Sequence, residues 1–144
     1  LLVGETKASV LAPLQQAIDE LQAADPQFKG KVSYAFGREK CFTGSEIEGE
    51  RFFPGWVFGE EEAGVQQALA GLRGAGLSPT IQQYSFCTNG SHYAGEAGIP
   101  TVGFGPSTER LAHTIDEYIE IEQLVGAAKG FYGIMQSVCG AGKV

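Results

Sequence analysis

Basic side chains are scarce in this sequence: ten Lys and Arg stand against 17 Asp and Glu, for a formal net charge of −7. Neutralising a phosphate backbone needs clustered Lys and Arg, and these ten form no stripe, so an electrostatic nucleic-acid binder is excluded. Long apolar runs are missing too. None approaches the roughly 20 residues that cross a bilayer, and no signal peptide precedes the first element, so no membrane partner is expected. Cysteine is limited to Cys41, Cys87 and Cys139. An odd number so far apart gives neither a disulfide framework nor a Cys-x-x-Cys zinc knuckle, and cytosolic thiols with a cytoplasmic location are the expectation. Asn89-Gly90-Ser91 matches a glycosylation acceptor, a signal with little weight where no secretory leader is read. The only methionine is Met135, and the chain opens on apolar Leu1-Leu2-Val3 without an initiator. Both features point to a piece of something longer.

What the chain does have is glycine, 21 in 144 residues. Glycines gather between Gly90 and Gly105 and near the C-terminus without a repeat, which marks turns and not a fibre. Leu1–Val3 is expected to end a strand. Val10, Leu11, Leu14, Ile18 and Leu21 fall at helical spacing and predict a helix over about 7–24. Pro13 within that pattern requires a later start or a kink, and Asp25-Pro26 ends it. Lys31–Phe36 alternates like a half-buried strand, so the first third reads as a βαβ unit or half of a ferredoxin-like sandwich. Residues 37–59 show no clean period. Glu46, Glu48 and Glu50 alternate there, and Phe52, Phe53, Trp56 and Phe58 crowd around Pro54-Gly55. This reads as the passage between two structural units, with the aromatics as packing anchors or, alternatively, with Trp56 or Arg51 as a substrate platform.

From Glu60-Glu61-Glu62 onward a helix is expected, its carboxylates facing the positive end of the dipole, with Val65, Ala68, Leu69 and Leu72 as its apolar stripe. Thr80–Phe86 and Ile99–Phe104 read as strands, Ser91–Ala97 as one or two helical turns, and Gly140–Val144 as a frayed tail. Ile121, Leu124, Val125, Ala128, Phe131, Tyr132, Met135 and Val138 predict a long amphipathic closing helix. This order indicates an α/β layer with parallel strands. Loops at Asn89 and at Gly105–His113 would then both leave the C-terminal strand ends, where such proteins place ligands. His113 suits a divalent metal, and a neighbouring carboxylate can orient its second nitrogen. Taken alone, the same spacing favours a surface histidine in a loose ion pair.

Three segments carry a resemblance: Thr88-Asn89-Gly90-Ser91-His92-Tyr93, Gly103-Phe104-Gly105-Pro106, and Ala112-His113-Thr114-Ile115-Asp116-Glu117-Tyr118. Together they resemble the C-terminal end of the zinc-dependent aminoacylase and carboxypeptidase family. That family includes acetylornithine deacetylase, succinyl-diaminopimelate desuccinylase and the glutamate carboxypeptidases, and the nearest likeness is to hydrolases associated with selenium metabolism. The resemblance implies two zinc ions (Co or Mn as alternatives) sharing a carboxylate and a water that attacks an amide carbonyl. It implies His113 as a metal ligand, with Asp116 and Glu117 behind it or at a helix start. Gly103, Gly105 and Pro106 would line the substrate pocket. Asn89, where many relatives carry an acid, would meet a polar group of the substrate.

A dinuclear centre needs on the order of six to eight protein ligand atoms, and this chain has two histidines. Glu61-Glu62 opens a helix and does not follow a strand as the family's base-and-ligand pair does. The other ligands, the base and the lid histidine belong upstream of the matched region. No catalytic residue is therefore assigned, and His92 is expected in a pocket or in packing. The resulting expectation is α/β: residues 1–54 as the second half of a lid and dimerisation domain, and 55–144 as the C-terminal part of a zinc-peptidase-like catalytic domain. It would act in a homodimer on a small amide or peptide substrate. The competing expectation is a stand-alone, non-catalytic binding or dimerisation module. Gly103-Phe104-Gly105 as a nucleotide turn fails for want of a third spaced glycine. Cys87 with His92 as a nucleophile pair lacks an evident orienting group.

Overall fold

The computed structural model of the protein describes residues 1–140, so the tail expected at 140–144 falls, past its first residue, outside them. The chain contains both helices and a small two-stranded sheet, a mixed α and β architecture. It divides into two units, Leu1–Trp56 and a second from Val57 onward, with the division inside the aromatic run.

In the first unit α1 spans Lys7–Ala24. Thr6 caps it reciprocally with Ser9: the Ser9 N–H donates to Thr6 Oγ1 at 3.1 Å and the Thr6 N–H to Ser9 Oγ at 2.9 Å. This cap satisfies two orphan donors and lets the helix begin at Lys7 and continue past Pro13, which has no N–H for the Ser9 carbonyl. The Asp25 N–H closes the other end on the Leu21 carbonyl at 2.9 Å. Of the expected apolar stripe, Val10, Leu11 and Ile18 are half-buried while Leu14 and Leu21 are exposed.

The strands differ from expectation. Leu1–Val3 is irregular, its terminal amine donating to the Phe53 carbonyl at 3.0 Å. Residues 31–35 join no ladder. Instead β1 is Phe36–Lys40, paired antiparallel with β2, Glu46–Glu50, so that Phe36 faces Glu50 and Lys40 faces Glu46. The stretch without a clean period thus contains both strands apart from Phe36, the first residue of β1. Its alternating glutamates are one face of β2, neutralised across the hairpin where Arg38 Nη2 lies 2.7 Å from Glu48 and Nη1 3.9 Å from Glu46. Gly44, at φ 89°, makes the turn possible. A hairpin needs only local pairing, whereas a βαβ unit needs a ladder between distant strands. Among the described residues that ladder does not form.

Around the hairpin Tyr34 meets Phe52 edge-on at 5.4 Å, and the Lys7 ammonium sits 4.7 Å above the Phe52 ring while pairing with Glu50. The Tyr34 hydroxyl is buried without a hydrogen-bond partner among the described residues. An unmet buried hydroxyl costs stability that a phenyl ring of the same shape does not. Tyr34→Phe should therefore raise stability by about 1 kcal/mol, read as a higher midpoint in urea; a lowered midpoint would show that the hydroxyl is satisfied in solution.

In the second unit α2 spans Ala63–Gly74 and α3 spans Ile121–Cys139. Glu60 and Glu61 form a turn and Glu62 becomes the cap residue, its carboxylate accepting from the Gly59 N–H at 3.1 Å, so the helix starts later than the acidic run. The α2 stripe packs as its spacing predicts: Ala68, Leu69 and Leu72 are buried and Val65 half-buried. For α3 the packed face is the other one. At about 100° per residue, Ala127 and Gly130 (buried) and Gly133, Ile134 and Ser137 (half-buried) line one side. Leu124, Ala128, Phe131, Met135 and Val138 lie along the adjoining side and are exposed. Glycine decides this. A Cβ on Gly71 of α2 would stand 2.7 Å from the Gly133 carbonyl carbon and 2.9 Å from Ile134 Cα, so the two backbones touch. Bulky residues cannot enter such a crossing.

Neither Thr80–Phe86 nor Ile99–Phe104 joins a sheet among the described residues. A strand exists only with a ladder partner, and here Tyr84 and Phe86 stack on each other at 5.0 Å. The parallel layer expected from the sequence is therefore not assembled from these segments. No helix among the described residues is long and apolar enough to cross a membrane. The accessible surface is 11184 Å², against roughly 8,600 Å² for two separately folded units of these sizes.

Gly71→Ala should force the helices apart. The expected loss is about 1–2 kcal/mol despite the better helix propensity of alanine, measurable by thermal denaturation. An unchanged or raised midpoint would show that the crossing has slack.

Candidate functional site

The site suggested by the sequence lies on irregular backbone between Phe104 and α3. Phe104 anchors one end: its ring meets Phe131 edge-on at 5.2 Å and lies where a Cβ on Gly130 would be. Ser107, at φ 73°, follows the Gly105-Pro106 bend, and its N–H donates to Gln123 Oε1 of α3 at 3.1 Å. A 3₁₀ turn, Glu109–Leu111, comes next, with the Ala112 N–H on the Glu109 carbonyl at 3.2 Å. His113 and Asp116 both have φ 60°. Left-handed backbone is unfavourable for side chains larger than glycine and survives only where surrounding bonds over-determine it. Those bonds are present. The His113 N–H donates to Glu117 Oε2 at 3.1 Å, and Thr114 Oγ1 donates to the Leu111 carbonyl at 2.9 Å. His113 itself is exposed, presented to solvent rather than enclosed by apolar neighbours.

The second arm is the segment ending at Asn89. The Asn89 carbonyl accepts from the His92 and Tyr93 N–H groups at 3.0 and 3.2 Å, opening a π-helical turn, Ser91–Glu96. Single π turns are uncommon and frequent at functional sites. Two bonds join this arm to the first: Glu109 Oε1 accepts from the Ser85 N–H at 3.0 Å and Glu109 Oε2 from Ser85 Oγ at 2.6 Å. Gly103 lies against the Tyr84 ring, whose Cζ would stand 3.0 Å from an added Cβ, while Gly105 faces open space and Pro106 is half-buried.

His92 is exposed, with Nδ1 2.9 Å from Glu96 Oε2 one turn on, so an orienting carboxylate not evident from the sequence is present. The Cys87 thiol lies 3.4 Å from the hydroxyl of Ser91, itself buried, and 3.7 Å from the Thr88 carbonyl.

Comparison with known proteins finds similarity to part of longer chains. Uncharacterized protein YgeY of Escherichia coli (strain K12) is 31% identical over 122 residues, covering 82% of this chain and 30% of that protein. Uncharacterized protein YgeY of Escherichia coli O157:H7 matches to the same extent. The chain thus spans about 30% of the length of the curated relatives it matches. No protein-family model matches, and no solved structure does.

Of the residues singled out from the sequence, the loop brings His113 and Glu117 together through the His113 backbone, and Asp116 shares its strained geometry. Among the described residues no three His, Cys, Asp or Glu side chains converge as a metal-holding group. His113 stands there as a single exposed imidazole. Sequence reasoning missed Glu109, Ser85 and Gln123, which fasten the loop. A carboxylate just after Gly-Pro-Ser-Thr reads only as a turn residue, and its partner lies 24 positions away.

Asp116→Val should cost about 1–2 kcal/mol and Asp116→Gly should be neutral or stabilising, because only the former resists φ 60°. Paired denaturation curves check this; equal effects would mean that the loop adopts another backbone in solution.

Proposed function

We propose that this chain is the C-terminal part of a metal-dependent hydrolase that cleaves amide bonds of N-acyl amino acids or small peptides. The observation that carries the reading is the presentation of His113, exposed at φ 60° on a loop fastened to α3 and to the Asn89 arm. Strain held in place by several hydrogen bonds is characteristic of functional loops. The match to relatives of which this region is 30% supports a site completed by other segments. So do the bare apolar face of α3 and the would-be strands without ladders.

In this reading His113 supplies one ligand to a centre of two zinc ions, with Co or Mn as alternatives. Glu117 holds the ligand's backbone, and Asp116 shapes the loop behind it. Gly105 and Pro106 leave room beside the bend for a substrate, Gly103 lets Tyr84 pack close, and Asn89 meets a polar group of the substrate. The metal pair, when bound, supplies an activated water; this chain's residues position and do not complete that chemistry. The first unit serves as half of a lid through which a cytoplasmic homodimer forms, its two-stranded sheet leaving both edges open to pairing.

A non-catalytic binding module is the second reading. It is favoured by the absence of converging ligands among the described residues and by those open edges. Metal content and activity separate the two. The isolated chain should retain fewer than two zinc equivalents after dialysis and release no amino acid from N-acyl amino acids or dipeptides. Two tightly held equivalents with turnover would overturn the fragment reading. The intact mass of the gene product decides further: a product several hundred residues longer supports the hydrolase, and a native 144-residue product favours the module.

A further inference from the structure

The Glu109 carboxylate is the polar tie between the two arms of the candidate site. It stands in the 3₁₀ turn directly before His113 and accepts both the N–H and the hydroxyl of Ser85, four residues before Asn89. Using both oxygens on one residue fixes direction as well as distance, as a single bond does not. On its other side the same loop is tied to α3 by Gln123. Glu109 is half-buried and Ser85 exposed, so the pairing rests on the two-point geometry rather than on exclusion of water.

We propose that Glu109 is a positioning residue: it sets the separation between the Asn89 arm and the His113 loop, so that a ligand touching both meets them at one fixed span. Its meaning for catalysis rests on the hydrolase reading, whereas the positioning itself is measurable without it. Glu109 needs no charge for this role. A glutamine there accepts the Ser85 N–H with its oxygen and donates its amide to Ser85 Oγ.

The test attaches a nitroxide to Cys87 in the Cys41→Ser, Cys139→Ser chain and reads paramagnetic broadening of the His113 amide by NMR. Glu109→Ala should reduce that broadening at least twofold, and Glu109→Gln should restore it. Unchanged broadening in Glu109→Ala, or a glutamine variant as defective as alanine, would overturn the proposal. Should Glu109→Ala unfold the chain, Ser85→Ala decides, because it deletes only the hydroxyl bond. Partial loss of broadening then supports the tie, and no change refutes it. Titrating Co²⁺ against the His113 ring in the parent chain tests the other reading separately. A ring that does not respond counts against the metal ligand, while the broadening results still judge Glu109.

Discussion

Backbone contact between α2 and α3 is the constraint from which the second unit follows. Gly71 and Gly133 let the helices approach until carbonyl and Cα atoms touch, and Ala68, Leu69, Leu72 and Ala127 close the seam as the buried apolar side chains among the described residues. That approach fixes α3, and α3 in turn fixes the loop before it. Gly130 leaves the space that the Phe104 ring fills, and Gln123 reaches Ser107. From Ser107 the 3₁₀ turn aims Glu109 at Ser85 and leads into His113. A histidine on irregular backbone is thus held by a helix crossing it never touches.

The same crossing explains why α3 turns its bulky residues outward. Apolar residues occur around nearly the whole helix, so a hydrophobic stripe alone does not choose a packing face. Close approach rewards small residues, and dispersion falls off steeply with any gap. The Gly/Ala side therefore meets α2, while Leu124, Phe131 and Met135 remain exposed. A helix apolar around most of its circumference is the kind normally buried. Among the described residues Thr80–Phe86 and Ile99–Phe104 are short of partners in the same sense, without neighbouring strands as α3 is without a second layer.

Helices were legible in the sequence because their information is local: Val10, Leu11 and Ile18, like Ala68, Leu69 and Leu72, repeat at the helical period, whereas the Thr6–Ser9 cap that starts the first helix ahead of Pro13 went unread. Strands were not. Alternation at Lys31–Phe36 marks residues able to pair, but the partner decides where pairing occurs, and β2 selected Phe36–Lys40 across a tight glycine turn. The glutamates of β2 were visible as an alternation without a meaning until Arg38 stood opposite them. At the candidate site, His113, Asp116 and Glu117 could be singled out by residue type. The left-handed backbone beneath two of them, and the distant Ser85 bracing them, depend on three-dimensional closure that no local pattern encodes.

Strain and braces also constrain each other energetically. Ser107, His113 and Asp116 fall within ten residues, and each left-handed side-chain residue costs on the order of 1–2 kcal/mol. Native domains have only about 5–15 kcal/mol in total, and this unit draws on a small buried core. Such a loop would relax if its geometry were held by propensity alone. Its persistence requires the bonds from Gln123, Glu117, Thr114 and Glu109 to act together, since a net hydrogen bond contributes about 1 kcal/mol. The loop is therefore stable as a set and weak in any single part.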